Sequence, residues 1–391
     1  MNRSARATRA RSGAVLHIVD SLAFGGAQSI LKDYFECHAD DKTLHLYALR
    51  VAPRQVNISH PNVRVNPSSA RMSMAPLLEL RQMLARERIG VLHCHLFRSQ
   101  VFGYMLKALF FPQIALVFHE HGRVVGREGE SALEALMFRV FLRLAWRRVD
   151  WFVCISDYTR SRLLQVVEGA GRRVSVVANP IPVYPRGADA QDPVDIRRSF
   201  AVPDGAYVVG FASRLVERKG WRDFLDAVKA LSARLPVFFL LAGDGEDRDK
   251  VGRHIRHLGL ENSGRMLGHI DRMAPFYRAL DCFVMPSHWE PHGLAHLEAQ
   301  RFGVPVVVSS VPGLNATVHD EVDALLFQAA DAQALAACIY RIANDSTLRD
   351  RLAKGGHANA AQFTMEAFSS KLEKIYSTFR PDAAPGKPTG F

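Results

Sequence analysis

Two carboxylates, Glu290 and Glu298, lie eight positions apart in the stretch Glu290-Pro291-His292-Gly293-Leu294-Ala295-His296-Leu297-Glu298. Gly293 and Leu294 read as the opening of a helix that runs to Phe302. The run just before, Leu280-Asp281-Cys282-Phe283-Val284-Met285-Pro286-Ser287, reads as a buried strand ending in a Pro-Ser turn. A helix start offers unpaired N–H groups and the positive end of the dipole, which together favour an anion. Helical side chains tilt toward the N-terminus, so Glu298 leans over the same mouth as Glu290. Acidic groups flanking free N–H groups suit a ligand whose hydroxyls flank a phosphate.

A second set follows another strand, Tyr207 to Phe211. It is Ala212-Ser213-Arg214-Leu215-Val216-Glu217-Arg218-Lys219-Gly220. The Arg214 fork and the Lys219 point charge suit a diphosphate. Any loop can carry two basic residues, so the weight comes from their conjunction with the acidic pair. That conjunction points to a nucleotide sugar. Ala242-Gly243-Asp244-Gly245-Glu246 ends a further strand, and its glycines permit close backbone approach. It lacks the full G-x-G-x-x-G pattern, so no dinucleotide is assigned. Asp247-Arg248-Asp249 fits an acidic first helical turn rather than a metal site. Phe24-Gly25-Gly26-Ala27-Gln28, after the first strand, could receive phosphate or sugar backbone-first, or be a plain strand-to-helix turn.

His93 and His95 alternate at one strand end, His119 and His121 at another, so each pair shares a face. No cysteine or carboxylate completes a metal-ligand spacing, and no metal is assigned. His121-Gly122 reads as a substrate contact. The stretch Ser131 to Arg148 is basic and amphipathic. Leu133, Leu136, Met137, Val140, Phe141 and Leu144 form an apolar stripe, with Arg139, Arg143 and Arg147 at four-residue spacing and Arg148 adjacent. Such a helix packs its stripe in a core with a solvated charged face, or docks on an anionic membrane.

These segments sit in a chain of 391 residues, 48% apolar and 23% charged, the profile of a soluble globular protein with room for two or three domains. The net charge of +11 favours phosphate-bearing partners. Its basic residues are dispersed without interleaved aromatics, so nucleic acid is not expected. Five cysteines are scattered with no C-x-x-C, as in a reducing cytosol. No secretory signal or transmembrane span is expected. Strand-like and helix-like segments alternate twice, with a break at Asn179-Pro180-Ile181-Pro182-Val183-Tyr184-Pro185. The fold class expected is α/β: two Rossmann-like, doubly wound domains facing a cleft. The expected division is a disordered basic arm over 1–13, an N-terminal acceptor domain over 14–185, a nucleotide-sugar domain over 194–362, a helix over 363–380 that packs back on the N-terminal domain, and a tail over 381–391.

The chain resembles family 4 of the retaining glycosyltransferases, which have the GT-B fold, from Gly25-Gly26 to about Phe327. The E-x7-E motif from Glu290 to Glu298 is the most specific match. Arg214 with Lys219-Gly220, Ala242-Gly243-Asp244-Gly245, Gly268-His269-Ile270, His121-Gly122 and Asn179-Pro180-Ile181 stand in the family's order. The resemblance implies that Arg214 and Lys219 hold the donor diphosphate, Glu298 the ribose hydroxyls and Glu290 the donor sugar. Gly293 and Leu294 would give N–H groups to phosphate or sugar, the backbone near His269 and Ile270 would frame the base, and His121 would lie beside the reacting sugar. His292 stands where the family usually has Phe. Pro312-Gly313-Leu314-Asn315-Ala316 stands where it often has Gly-Gly-x-x-Glu.

The expected activity is metal-independent hexosyl transfer with retention, from a UDP- or GDP-linked sugar to a lipid-linked or glycan acceptor, with no cofactor. Lipopolysaccharide-core and phosphatidylinositol glycosyltransferases are members similar in layout, which implies a cytoplasmic enzyme peripheral on the inner face of the plasma membrane. A nucleotide-sugar 2-epimerase of the same fold and a non-enzymatic nucleotide-sugar-binding protein are the rivals.

Overall fold

The computed structural model describes residues 13–23, 25–70, 73–122, 131–167, 169–184 and 193–380. The expected arm, apart from Gly13, most of the linker after Tyr184, the tail over 381–391 and Phe24 lie outside the described residues. The chain forms two compact units, one running to Ala178 and resuming at Met365, the other spanning Asn179–Thr364.

The first unit holds a parallel sheet of seven strands: β1 Val15–Val19, β2 Leu44–Ala48, β3 Val63–Val65, β4 Val91–His95, β5 Ala115–Glu120, β6 Trp151–Cys154 and β7 Val174–Val176. Their order is β3-β2-β1-β4-β5-β6-β7. The second unit has six: β8 Tyr207–Ala212, β9 Val237–Ala242, β10 Gly264–Gly268, β11 Cys282–Met285, β12 Val306–Ser309 and β13 Leu325–Phe327, in the order β10-β9-β8-β11-β12-β13. Both are the doubly wound sheets expected from the sequence. Helices cover both faces, so the central strands read as near-continuous apolar runs. Helix Trp221–Leu231 shows the complementary pattern, burying Trp221, Phe224, Leu225, Val228 and Leu231 at helical spacing.

Strand order reverses between β1 and β4 in one sheet and between β8 and β11 in the other. Open α/β sheets bind ligands beyond the carboxyl ends of strands at such a reversal. Both acidic and basic motifs of the second unit follow β11 and β8.

Helix Met365–Ser377 belongs to the first unit, where Phe368, Leu372, Ile375 and Tyr376 are buried. Phe368 meets Tyr34 edge to face at 5.9 Å. β3, β13 and helix Ser346–Ala360 were not expected. The two strands are three residues long, too short for alternation to register. The helix carries Gly355 and Gly356, poor helix formers. At Gly355 a Cβ would fall 2.1 Å from the Val322 carbonyl oxygen, so close packing dictates the glycine.

Candidate functional site

The loops after β8 and β11 meet. The backbone N–H of His288 donates to the Arg218 carbonyl at 2.8 Å. Gly220 has φ of +72° and sits so close to the Pro286 carbonyl that a Cβ would be 1.9 Å from its oxygen. Left-handed backbone and contact without a side chain both require glycine here. The approach sets Lys219 against Glu290: the Lys219 Nζ donates to Glu290 Oε2, and both side chains are largely buried. A buried charge is tolerated when paired. Arg214 instead pairs at the surface with Glu246 at 2.8 Å, both well exposed. Such a pair is weak, so a phosphate can replace Glu246 on the fork at little cost.

The helix carrying Glu298 is shorter than the sequence implied. It is Ala295–Arg301, with Leu294 as N-cap. Gly293 cannot open it because its φ is +78°, and Gly303, at +72°, lies just past its end. Seven residues make a small dipole, so this helix start is a weaker anion site than the sequence reading held. Glu298 is largely buried in the first turn. Tyr184 donates its hydroxyl to Glu298 Oε2 at 2.5 Å, and Tyr277, buried alongside, hydrogen-bonds the same side chain. Burial, then the Glu298 charge, hold the Tyr277 phenol well above its usual range. Sequence reasoning missed both tyrosines. Tyr184 lies in the Pro-rich break, and Tyr277 reads as core.

His292 is buried, its Nδ1 donating to the Gly293 carbonyl at 2.6 Å, and its ring meets Phe363 edge to face at 5.8 Å. An imidazole thus fills an aromatic position, and burial lowers its pKa. Gly313 explains its own identity. A Cβ there would lie 1.9 Å from the Glu290 carbonyl oxygen, so the Pro312-Gly313 turn braces the acidic loop.

Gly243 and Gly245 pack on the basic loop, where a Cβ would fall 1.8 Å from the Ser213 oxygen and 2.4 Å from that of Leu215. These glycines are first of all packing residues. His269 is exposed beside Asp271 at 3.2 Å, and Ile270 packs on the core beneath β10.

In the first unit, Gly25 and Gly26 are exposed at the end of β1, where helix Gly26–Cys37 begins with no side-chain cap. Its first N–H groups are open to a ligand. His121 follows β5. Half-buried itself, it joins the buried His17, His93, His95 and His119 in one cluster. The strand pairs were visible in the sequence; His17 was not linked to them, because only the placement of β1 beside β4 brings it in.

Of the two readings left open for the apolar stripe of helix Ala132–Ala145, packing in a core fails for most of its residues. Leu133, Leu136, Met137, Val140 and Leu144 are all exposed, from 45% to 72%. The core-facing residues are Phe138, Leu142 and Ala145, with Phe141 partly buried. The helix has two apolar faces, and periodicity alone does not say which is inward. Arg139, Arg143, Arg147 and Arg148 are exposed too. Among the described residues no helix is long and apolar enough to cross a membrane.

Residues 25–183 match the family model described as Glycosyltransferase Family 4, and residues 194–358 match that described as Glycosyl transferases group 1. The lipopolysaccharide core biosynthesis glycosyltransferase LpsE of Rhizobium meliloti (strain 1021) is 35% identical over 235 residues, 60% of this chain and 66% of its own length. The match thus falls just short of two thirds of that relative. An uncharacterized glycosyltransferase of Methanocaldococcus jannaschii, MJ1607, is 26% identical over 81% of this chain and 83% of its own. The Anabaena protein HepE, solved in complex with UDP and glucose, superposes with a TM-score of 0.78 over 93% of this chain and 99% of its own, at 21% identity.

Proposed function

The chain belongs to the glycosyltransferases that these two family models describe, built on the GT-B fold, and from that premise we propose that it moves a hexose, with retention, from a UDP-linked donor to a lipid-linked or glycan acceptor of the cell envelope. The observation that carries this reading is the buried Lys219–Glu290 pair at the sheet reversal between β8 and β11, with Arg214 exposed on the same loop as Lys219. As the glycosidic bond breaks, negative charge grows on the β-phosphate. Lys219 and Arg214 are the groups for that charge, acting in place of a metal ion. A displaced Glu290 takes hydroxyls of the sugar, and Glu298 those of the ribose. With Glu290 and Glu298 both assigned to hydroxyls, neither is set as a nucleophile under the sugar. Retention then proceeds by same-face attack, with the departing phosphate taking the acceptor proton. The UDP carried by HepE supports uridine as the base.

The test is turnover of UDP-glucose, UDP-galactose and GDP-mannose with and without a lipid-linked acceptor extract. Transfer from a UDP-hexose, undiminished by excess chelator, is the expected result. Loss of activity with chelator overturns metal independence. A C2 epimer formed without acceptor favours the epimerase, and donor binding with no turnover favours a binding protein.

The exposed apolar face of helix Ala132–Ala145, flanked by arginines, supports a peripheral site of action on the cytoplasmic membrane surface. Co-sedimentation with vesicles is expected to require anionic lipid. It should fall roughly tenfold or more when Arg139, Arg143 and Arg147 become Glu, since each basic residue near such a surface contributes about 1 kcal/mol. Leu136→Ser with Leu144→Ser should weaken it as well. Equal binding to neutral vesicles would count against the electrostatic account.

A further inference from the structure

Five of the histidines of the first unit form, with Tyr376, a continuous hydrogen-bonded chain. His121 Nε2 meets His95 Nδ1 at 3.0 Å, and His95 Nε2 meets His17 Nδ1 at 2.9 Å. His17 Nε2 meets the Tyr376 hydroxyl at 3.3 Å, and that hydroxyl meets His93 Nδ1 at 2.5 Å. His93 Nε2 then meets His119 Nδ1 at 3.2 Å. The far end, His119 Nε2, is buried without a partner.

All five rings are neutral near pH 7. Burial is the main cause, and it pushes His17 down to about 3 and His121 to about 4, with His93, His95 and His119 well below the usual range. A neutral imidazole has one N–H and one lone pair. Each nitrogen-to-nitrogen contact needs one of each, so the tautomer of one ring dictates that of the next. The Tyr376 hydroxyl passes the order on, donating to one imidazole and accepting from the other. Accepting from both would strand its own hydrogen in a buried site. Two ordered states result: every ring carries its proton on Nδ1, or every ring on Nε2. The Nε2 state leaves a buried N–H at His119 with no acceptor. The Nδ1 state leaves only a lone pair there, and orphaned buried N–H groups are the rarer fault.

We propose that His95, His17, Tyr376, His93 and His119 are positioning residues that lock His121 in the Nδ1–H form, so that it offers a hydrogen-bond donor to an oxygen of the donor sugar. The ligand half rests on the family resemblance, which sets His121 beside the reacting sugar, and so on the proposed glycosyl transfer. Two subsets of the array, His17 with His93 and His95 and His95 with His119 and His121, also bring their nitrogens within 4.8 Å of one another, so a metal ion is the rival occupant that the experiment has to exclude. The pairs His17–His95, His93–His95, His93–His119 and His119–His121 stack at 16° to 19°, while His17–His93, His95–His119 and His95–His121 are tilted by 32° to 36°.

The experiment is long-range proton–nitrogen NMR on protein labelled with ¹⁵N-histidine. Nδ1–H signatures for all five rings are expected. Tyr376→Phe should cut the chain and leave His17, His95 and His121 as tautomer mixtures. Mixtures in the unaltered protein, uniform Nε2–H forms, or stoichiometric bound zinc overturn the lock, and this arm needs no variant to fold. A second arm compares His121→Asn, whose amide nitrogen falls near Nδ1, with His121→Gln, whose amide reaches the Nε2 position. The Asn variant should keep transfer within about tenfold while Gln loses on the order of 10²-fold. A locked array with both variants as active as the parent overturns the sugar contact and not the lock. Mixed tautomers with inactive variants overturn the lock and not the sugar contact.

Discussion

Lys219→Ala should lower kcat/KM for transfer by roughly 10²- to 10³-fold, the scale seen when one preorganised donor to a developing oxyanion is removed. Most of that loss should fall on kcat, because the charge on the β-phosphate is greatest in the transition state. Arg214→Ala should cost less, about tenfold, since its fork is exposed and its pairing with Glu246 is screened by solvent. Turnover of Lys219→Ala equal to that of the parent would remove the assignment of the diphosphate to this loop.

Lys219 also has a structural duty, and the two effects can be separated. Removing it leaves Glu290 buried and unpaired, which costs on the order of 3–5 kcal/mol for a buried pair and less here, where both groups retain some exposure. Glu290→Gln in the Lys219→Ala background removes the orphaned charge. The double variant should recover much of the lost thermal stability and none of the lost kcat. Recovery of both would mean that Lys219 acts only by holding the loop.

How much of this was legible in the sequence depends on sequence separation. The β11 run and its Pro-Ser turn declare a strand and its end, and the glycines after β8 and β9 declare tight turns. Both sheets follow from that alternation. The Lys219–Glu290 contact joins residues 71 apart, through strands β8 and β11 that are neighbours in the sheet but not in sequence. No local pattern reports it. Tyr184 lies 114 positions from Glu298, among prolines that read as a linker. His17 is one polar residue in an apolar strand, which reads as a core position until β4 is laid beside it in register with His93. The apolar stripe of helix Ala132–Ala145 was correctly seen as a stripe, but Phe138 and Leu142 form a second one, and only packing chooses between them.

Acid should unfold the first unit at a pH where the second still holds. The sign follows from the histidines. In the unfolded chain they take up protons as pH falls below about 6.5. In the folded unit His121 resists until about pH 4 and His17 until about 3, while His93, His95 and His119 are also depressed. The unfolded state therefore binds more protons throughout this window, and stability falls as pH falls through it. Above about pH 7 these groups contribute no slope, because both states are neutral. Each such histidine costs about 1.4 kcal/mol per pH unit once the unfolded form is fully protonated. His17 and His121 together lose roughly 2.5 kcal/mol between pH 7 and pH 5.5, and His93, His95 and His119 add to that loss in the same direction, a large share of the stability of a domain. The groups around the array do not offset this. His38 lies near His17 and lowers it further, and neighbouring imidazoles repel one another once charged. The melting temperature of the first unit should thus drop by roughly 5 °C or more over that interval. Amide exchange in β1, β4 and β5 should lose protection before β8 and β11, in the unit where burial lowers His292 and His296. A melt at pH 5.5 equal to that at pH 7.5 would mean that the five rings are charged or wet in the folded state, and the ordered array could not then exist.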